Sequence, residues 1–192
     1  MAETWEGRIR VVQGDIATLA VGAIVNAANC SLLGGGGVDW AVHRAAGGEM
    51  TLACGRLGGC DVGQCKMTGG FDLPAKYIIH AVGPTYSQYT PEKAEQLLKQ
   101  TYTNCLDMAS AHDIRTIAFP ALSTGAFGYP FIEGVRAAVE AIHQWQESHG
   151  LASMHTTLVA YNAYDYAVMC KEAARHESRA NRISGCARIE NC

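Results

Sequence analysis

The sequence predicts a single α/β domain of three layers, in which helices cover both faces of a central mixed, largely parallel sheet. Short apolar segments alternate with amphipathic segments of helical periodicity along most of the 192 residues. Several of the apolar segments are hydrophobic at consecutive positions, which is typical of strands buried on both faces. The length suits one compact core, and the sequence contains no internal repeat and no recognisable linker.

Six strands and five helices account for this alternation. The predicted strands are Ile9 to Gln13, Ala23 to Ala27, Cys65 to Thr68, Tyr77 to Val82, Thr116 to Pro120 and Thr156 to Tyr161. The predicted helices are Val38 to Ala46, Glu49 to Arg56, Pro91 to His112, Phe131 to His149 and Ala163 to about Glu177. We therefore expect one domain over residues 1–177, followed by a polar tail over residues 178–192.

Turn residues delimit the elements in the first half of the chain. Gly14 and Asp15 end the first strand, and Asp15 is expected to cap the short turn that follows. The first helix carries apolar residues at helical spacing and has Asp39 near its N-terminus. His80 lies inside an apolar strand, where a histidine is more often a hydrogen-bonded core residue than a catalyst.

Helical periodicity is clearest in the second half. Pro91 stands in the first turn of the third helix, a position that favours proline. The strand that ends at Pro120 leads into a second glycine-containing loop, Ala121 to Pro130. The fourth helix keeps its apolar residues on one face, and Gly150 ends it.

Charge and composition argue against a nucleic-acid or membrane partner. The net charge is −3 and the chain has no apolar run of 18 residues. Met1 to Arg10 is polar and lacks the apolar stretch of a signal peptide, so we expect a cytoplasmic protein with reduced cysteines. The spacing of Cys54, Cys60 and Cys65 fits no common zinc pattern, and we expect no metal and no cofactor.

Three loops are expected to meet at one edge of the sheet, because they follow the carboxyl ends of predicted strands. They are Asn26 to Asp39, Ala121 to Pro130, and Tyr161 with Asn162. The first contains four consecutive glycines, Gly34 to Gly37, which are costly to order and indicate a close approach of backbone to a ligand. Amides at the start of a helix favour an anion, so the pattern predicts a phosphate-bearing ligand beside Asp39.

Neither nucleotide-binding glycine motif is present, since the chain lacks both the Rossmann fingerprint and the ATP-type P-loop. Two loops of small residues that face each other can instead hold a diphosphate from both sides. Ser123 and Thr124 would add hydroxyl donors. Phe127 and Tyr129 would cover a ribose or, alternatively, pack the loop itself.

Six motifs together resemble the macrodomain family, and most closely its bacterial MacroD-type branch of O-acetyl-ADP-ribose deacetylases. The resemblance covers about residues 8–175. The motifs, in chain order, are GDI from Gly14, IVNAAN from Ile24, GGGGVD from Gly34, HRAAG from His43, LPAKYIIHAVGP from Leu73 and PALSTGAFGYP from Pro120. Six motifs in the family's order make the resemblance specific.

The resemblance implies an ADP-ribose site. Asp15 and the backbone of Ile16 would bind the adenine edge, and Tyr161 would stack on the adenine. Asn29 would hydrogen-bond the distal ribose, the one farther from adenine. Asp39 would be the catalytic acidic residue, and Asn29 would belong to the catalytic site with it. The backbone of the two loops would bind the diphosphate and distal ribose through Gly36, Gly37, Val38, Ser123, Thr124, Gly125, Ala126 and Phe127.

The implied reaction is hydrolysis of an ester on the distal ribose, with Asp39 orienting or deprotonating the attacking water. Its substrates would be O-acetyl-ADP-ribose and proteins that carry mono-ADP-ribose on acidic side chains. Two alternatives remain, a non-catalytic reader of ADP-ribose and an RNA-related regulatory binder. A reader has no need of Asp39, whose carboxylate could simply stabilise the helix N-terminus.

Overall fold

The computed structural model describes residues 9–150 and 154–186, which form one sheet between two layers of helices. The strands are β1 (Ile9–Gln13), β2 (Ala23–Ala27), β3 (Cys65–Gly69), β4 (Tyr77–Ala81), β5 (Thr116–Phe119) and β6 (His155–Ala160). The helices are α1 (Val38–Ala46), α2 (Gly48–Arg56), α3 (Pro91–Ala111), α4 (Phe131–His149) and α5 (Ala163–Cys186). None of these helices is long and apolar enough to cross a membrane.

The sheet has the order β1-β6-β5-β2-β4-β3. All neighbouring strands run parallel except the edge strand β3, which is antiparallel to β4. The predicted mixed, largely parallel sheet is therefore confirmed. The carboxyl ends of the five parallel strands lie at one edge, where ligands bind in folds of this type.

Alternating side chains of the sheet supply two hydrophobic cores. Val25 and Ile79 pack with α3, α4 and α5 on one face. Ile24 and Ile78 pack with α1 and α2 on the other face. Because side chains alternate along a strand, Asn26 and His80 lie on the same face as Ile24 and Ile78, beneath α1 and α2.

The end of α5 differs from the prediction. The helix continues to Cys186, whereas the sequence pattern placed its end near Glu177. No glycine or proline lies between Glu177 and Gly185, so nothing local stops a helix there. The last residues of the predicted tail, 187–192, lie outside the described residues, and the division into domain and tail stays a prediction.

Candidate functional site

A cavity of about 550 Å³ opens at the carboxyl ends of the parallel strands. Its walls come from the glycine-rich loop after β2, the loop after β5 and the start of α5. The predicted site residues that line it are Asn29, Gly36, Gly37, Val38, Asp39, Ser123, Thr124, Gly125, Ala126, Phe127 and Tyr161. The volume lies in the range of small-molecule sites, so the structure brings these residues together around one space for a ligand.

Both loops present unpaired backbone amides to the cavity. Within the described residues, the amides of Gly35, Gly36 and Gly37 have no acceptor, and neither do those of Gly125 and Ala126. The N-terminus of α1 adds its own unsatisfied amides, since no side chain caps it. An anion between the loops would therefore meet donors from both sides without a lysine or arginine.

The glycine-rich loop needs glycine for conformation and for space. Gly34 and Gly37 have φ values of +96° and +61°, which side-chain-bearing residues rarely adopt. A Cβ atom on Gly35 would lie 3.0 Å from Oδ2 of Asp39 and 3.1 Å from Nδ2 of Asn29. Gly35 therefore lets the backbone pass directly over both polar side chains.

Asn29 braces this loop from inside. Its Nδ2 donates to the carbonyl of Gly34 at 2.9 Å, and its Oδ1 accepts from the backbone and hydroxyl of Ser31 at 3.0 and 2.6 Å. The side chain lines the cavity as predicted. Its expected contact with a ribose stays a prediction, and its structural role in shaping the loop comes in addition.

Asp39 is the only carboxylate of the cavity wall with a buried side chain within the described part of the chain. It is 2% exposed. Its Oδ1 accepts from Nδ2 of Asn26 at 2.7 Å, and Nε2 of His43 lies 3.4 Å from the same oxygen. Its Oδ2 has no hydrogen-bond partner. One oxygen is therefore held in place while the other is left free.

Burial dominates the acidity of Asp39. Loss of water raises its pKa, because a buried carboxylate is disfavoured relative to the neutral acid. The hydrogen bond from Asn26 and the nearby His43 act in the opposite direction and lower the pKa. The net shift is upward, which makes Asp39 a stronger base than an exposed aspartate.

The sequence analysis did not assign Asn26 or His43 to the site. Asn26 is fully buried in β2, and a polar residue inside an apolar strand was the available signal. His43 follows Asp39 by four residues, so both lie on one face of α1. Its Nδ1 lies 3.2 Å from the hydroxyl of Thr51 on α2. The predicted structural role of His80 is confirmed, because His80 is buried and hydrogen-bonded.

Tyr129 does not line the cavity, unlike Phe127 of the same loop. The side chain is 4% exposed and its ring packs edge-on against Tyr86, with centroids 4.8 Å apart. Gly128 has a φ of +68° and turns the chain so that Tyr129 points into the core beside α4. This packing agrees with the alternative in which Tyr129 packs the loop, and its contact with a ligand stays a prediction. The burial raises the pKa of Tyr129 to about 12.

Asp15 and Ile16 also lie outside the cavity wall. Asp15 caps a short 3-10 helix by accepting from the amide of Ala17 at 2.9 Å, as the sequence predicted. Ile16 is buried in the core beneath α1 and α2. The amide of Gly14 bonds to the carbonyl of Ala160, which brings this turn next to Tyr161. Their contact with an adenine ring stays a prediction.

Aromatic side chains surround the opposite end of the cavity. Tyr161 is 86% exposed, and Tyr164 and Phe131 also line the wall, with ring centroids 6.2 Å apart. The sequence analysis did not assign Tyr164 or Phe131, which begin α5 and α4 just beyond the predicted loops. Asn162 caps α5 by accepting from the amide of Asp165 at 2.9 Å.

Comparison with known proteins places this chain in a family. A family model described as "Macro domain" matches residues 25–138. The chain is 47% identical over 171 residues to "Macro domain-containing protein RSc0334" of Ralstonia nicotianae, which covers 89% of this chain and 96% of that protein. The chain belongs to the macrodomain family. The resemblance seen in the six sequence motifs is therefore confirmed.

Relatives of this macrodomain include named enzymes. It is 48% identical over 143 residues to mouse "ADP-ribose glycohydrolase MACROD1", covering 74% of this chain and 44% of the mouse protein. It is also similar to "ADP-ribose glycohydrolase MACROD2" of Xenopus laevis, at 47% identity over 138 residues. The chain spans less than half of these two longer proteins. Their similarity supports the MacroD-type branch.

Solved structures share the whole fold. The Oceanobacillus iheyensis macrodomain with ADP has a TM-score of 0.84 and 36% identity, covering 88% of this chain and 91% of that chain. The Trypanosoma brucei macrodomain in complex with ADP-ribose has a TM-score of 0.78 and 34% identity, covering 85% and 68%. Both neighbours were therefore seen with an adenine nucleotide of the kind that the sequence predicts.

Proposed function

We propose that this macrodomain is a hydrolase that binds ADP-ribose and cleaves acyl esters of its distal ribose. Its substrates would be O-acetyl-ADP-ribose and proteins that carry mono-ADP-ribose on acidic side chains. The glycohydrolase names of the MACROD relatives and the nucleotide complexes of the structural neighbours support this proposal. The shared chemistry is an ester between a carboxylic acid and a ribose hydroxyl.

One observation carries the proposal of catalysis, namely the state of Asp39. Oδ1 is held by Asn26 at 2.7 Å, and Oδ2 is buried without a partner at the cavity wall. A carboxylate that only stabilised the N-terminus of α1 would be expected to remain hydrated. Keeping an unpaired oxygen out of water costs free energy. Because Gly35 packs against Oδ2, the glycine-rich loop would have to shift when the ligand binds, so that a bound water can reach this oxygen and give it a proton.

The two loops account for binding by a chain of net charge −3. The amides of Gly35 to Gly37 and of Gly125 and Ala126 would hold the diphosphate. Tyr161 would stack on the adenine at the aromatic end. The distal ribose would then lie beside Asn29 and Asp39, at the other end of the same cavity.

The proposed reaction begins with attack of water on the carbonyl carbon of the ester. Asp39 takes a proton from the water as the new C–O bond forms, and the carbonyl oxygen gains negative charge. Amides of the glycine-rich loop would stabilise that charge. The bond from the acyl carbon to the ribose oxygen then breaks, and protonated Asp39 returns the proton to the ribose hydroxyl. The products are a carboxylic acid and ADP-ribose.

The test is turnover of O-acetyl-ADP-ribose by the wild type and by Asp39→Ala, with ADP-ribose affinity and melting temperature measured on both. We expect turnover by the wild type, and for Asp39→Ala a loss of about 10²–10⁴-fold in kcat with binding retained. Binding without turnover by the wild type would instead identify a reader. Equal turnover by the two proteins would disprove the assigned role of Asp39.

A further inference from the structure

A line of buried polar groups leads from Asp39 across the sheet. Of these groups, only Asp39 takes part directly in the proposed reaction. Nδ2 of Asn26 lies 2.7 Å from Oδ1 of Asp39 and 3.3 Å from Nδ1 of His80. Nε2 of His80 lies 2.9 Å from the hydroxyl of Thr68 on β3. Asn26 and His80 are both fully buried. They are register partners on β2 and β4, so the sheet itself holds them side by side.

The contacts at its two ring nitrogens indicate the tautomer of His80. Nε2 lies 2.9 Å from the hydroxyl of Thr68 and 3.5 Å from Sγ of Cys54, and that hydroxyl also lies 3.1 Å from the carbonyl of Gly69. At the other nitrogen, the NH₂ group of Asn26, which donates to Oδ1 of Asp39, can only donate to Nδ1 as well, so Nδ1 carries a lone pair and the proton of His80 is on Nε2. Burial, together with the nearby His43, lowers the pKa of His80 to about 4, so the ring is neutral near pH 7.

A lone pair on Nδ1 selects one orientation of the Asn26 amide. The NH₂ group then has an acceptor on each side, Nδ1 of His80 and Oδ1 of Asp39. The flipped amide would place its oxygen against both acceptors, which is unfavourable in a buried site. The oxygen of Asn26 has no partner in the orientation that is present, so the amide is held only through its NH₂ group.

From this geometry we infer that His80 is a positioning residue of the proposed hydrolase: through Asn26 it holds the carboxylate of Asp39 with Oδ1 engaged and Oδ2 free. The expected effect of His80 on turnover rests on the proposed function, whereas its effect on the position of the Asp39 carboxylate does not. His80 does not line the cavity, and its contact in the direction of Asp39 is Asn26. Sγ of Cys54, which also faces Asp39, lies 3.5 Å from Nε2 of His80. The groups that face Asp39 are His43 from α1, Asn26 from β2 and Cys54 from α2.

Three substitutions of His80 separate positioning from packing. In His80→Asn the new side-chain oxygen is attached to Cγ. Nδ1 of the histidine is attached to the same carbon, so the oxygen can take its place and accept from Nδ2 of Asn26. His80→Gln extends its amide past that point toward Thr68 and loses the acceptor, and His80→Leu removes both contacts. We expect His80→Gln and His80→Leu to lower kcat by about tenfold and His80→Asn to stay close to the wild type. ADP-ribose affinity should be unchanged in all three.

The decisive readout is the titration of the Asp39 carboxyl carbon by NMR, followed in the wild type and in all three variants. The hydrogen bond from Asn26 lowers the pKa of Asp39. Where His80 no longer holds Asn26 in place, as in His80→Gln and His80→Leu, this bond weakens and the titration of Asp39 should move to higher pH. In His80→Asn the titration should not move. The acidic limb of the kcat profile should move in the same direction. If His80→Leu fails to fold, the comparison of His80→Gln with His80→Asn is sufficient to test the positioning role.

The outcomes distinguish this inference from the proposed function. A wild type without turnover disproves the hydrolase, while the Asp39 titration still tests His80. An unchanged Asp39 titration in His80→Gln and His80→Leu overturns the inference, even if the enzyme is active. A shift of equal size in all three variants also overturns it, because packing rather than the Nδ1 acceptor would then be the cause.

Discussion

The two ends of the cavity differ in how far their side chains are exposed to solvent. At the end formed by α1, Asp39 is 2% exposed and held by a hydrogen bond of 2.7 Å to a fully buried asparagine. At the end formed by α5, Tyr161 is 86% exposed and Tyr164 is 63% exposed. A buried, hydrogen-bonded group is suited to chemistry, because its geometry is established before the ligand arrives. An exposed aromatic ring is suited to stacking, which tolerates movement.

This contrast indicates that substitutions at the two ends should affect different kinetic constants. The α1 end should govern kcat, because under the proposed function its contacts would act on the reacting ester. The α5 end should govern affinity, because its contacts would act on the adenine in ground state and transition state alike.

Among substitutions outside Asp39, the largest effect is expected from Gly35→Ala. Its Cβ would lie 3.0 Å from Oδ2 of Asp39 and displace the carboxylate or the loop. A shift of this kind should lower kcat by about 10²-fold. Gly48→Ala is the matched control, because Gly48 in α2 has no atom within 4 Å of an added Cβ. Steady-state kinetics on both variants would check the expectation, and unchanged kcat in Gly35→Ala would contradict it.

A smaller effect is expected from Tyr161→Ala. Loss of stacking should weaken ADP-ribose binding by about tenfold, within the range known for one base on an aromatic ring. The kcat at saturating substrate should stay near the wild-type value. Isothermal titration calorimetry and initial rates measure the two quantities separately. A fall in kcat with unchanged affinity would contradict the proposal that the two ends of the cavity govern different kinetic constants.

The acid side of the pH profile should report the burial of Asp39. The base must be ionised, and burial raises its pKa above the ordinary value of 3.8, so the rate should fall at higher pH than for an exposed aspartate. ADP-ribose affinity should remain constant across the same pH range. A profile of kcat/KM that extends well below pH 3.8 on the acid side tests this, and a limb at or below 3.8 would contradict the assignment.

The smallest effect is expected from Tyr129→Phe. Tyr129 packs against Tyr86 outside the cavity, so loss of its hydroxyl should leave kcat and ADP-ribose affinity within about twofold of the wild type. Phe127→Ala, at the cavity wall of the same loop, is the comparison and should weaken binding. A large loss of affinity in Tyr129→Phe would restore the sequence-based assignment.

The sequence could predict the elements and most of the cavity wall because periodicity and strand order determine both. Thr116–Phe119 and the loop after it were evident from an apolar run followed by glycine. The antiparallel direction of β3 was not evident, since it depends on pairing with β4. The burial of Tyr129 away from the cavity was not evident either, because proximity in sequence to Phe127 does not reveal the turn at Gly128.

The polar support of Asp39 was also outside the reach of sequence reasoning. Asn26 and His80 are 54 residues apart and meet only because β2 and β4 pair in register. In the sequence, His80 was a polar residue inside an apolar strand, and Asn26 stood at the end of another strand. The hydrogen bond from Asn26 to Asp39 on α1 is what connects this pair to the proposed catalytic residue.

The most direct test of the whole account is kcat for O-acetyl-ADP-ribose in Asp39→Asn, measured with the ADP-ribose affinity of the same protein. Asparagine keeps the shape of the side chain and an oxygen that accepts from Asn26, but it cannot take a proton from water. The account predicts that kcat falls at least about 10²-fold while the dissociation constant changes by less than about threefold. A variant that retains wild-type kcat would contradict it.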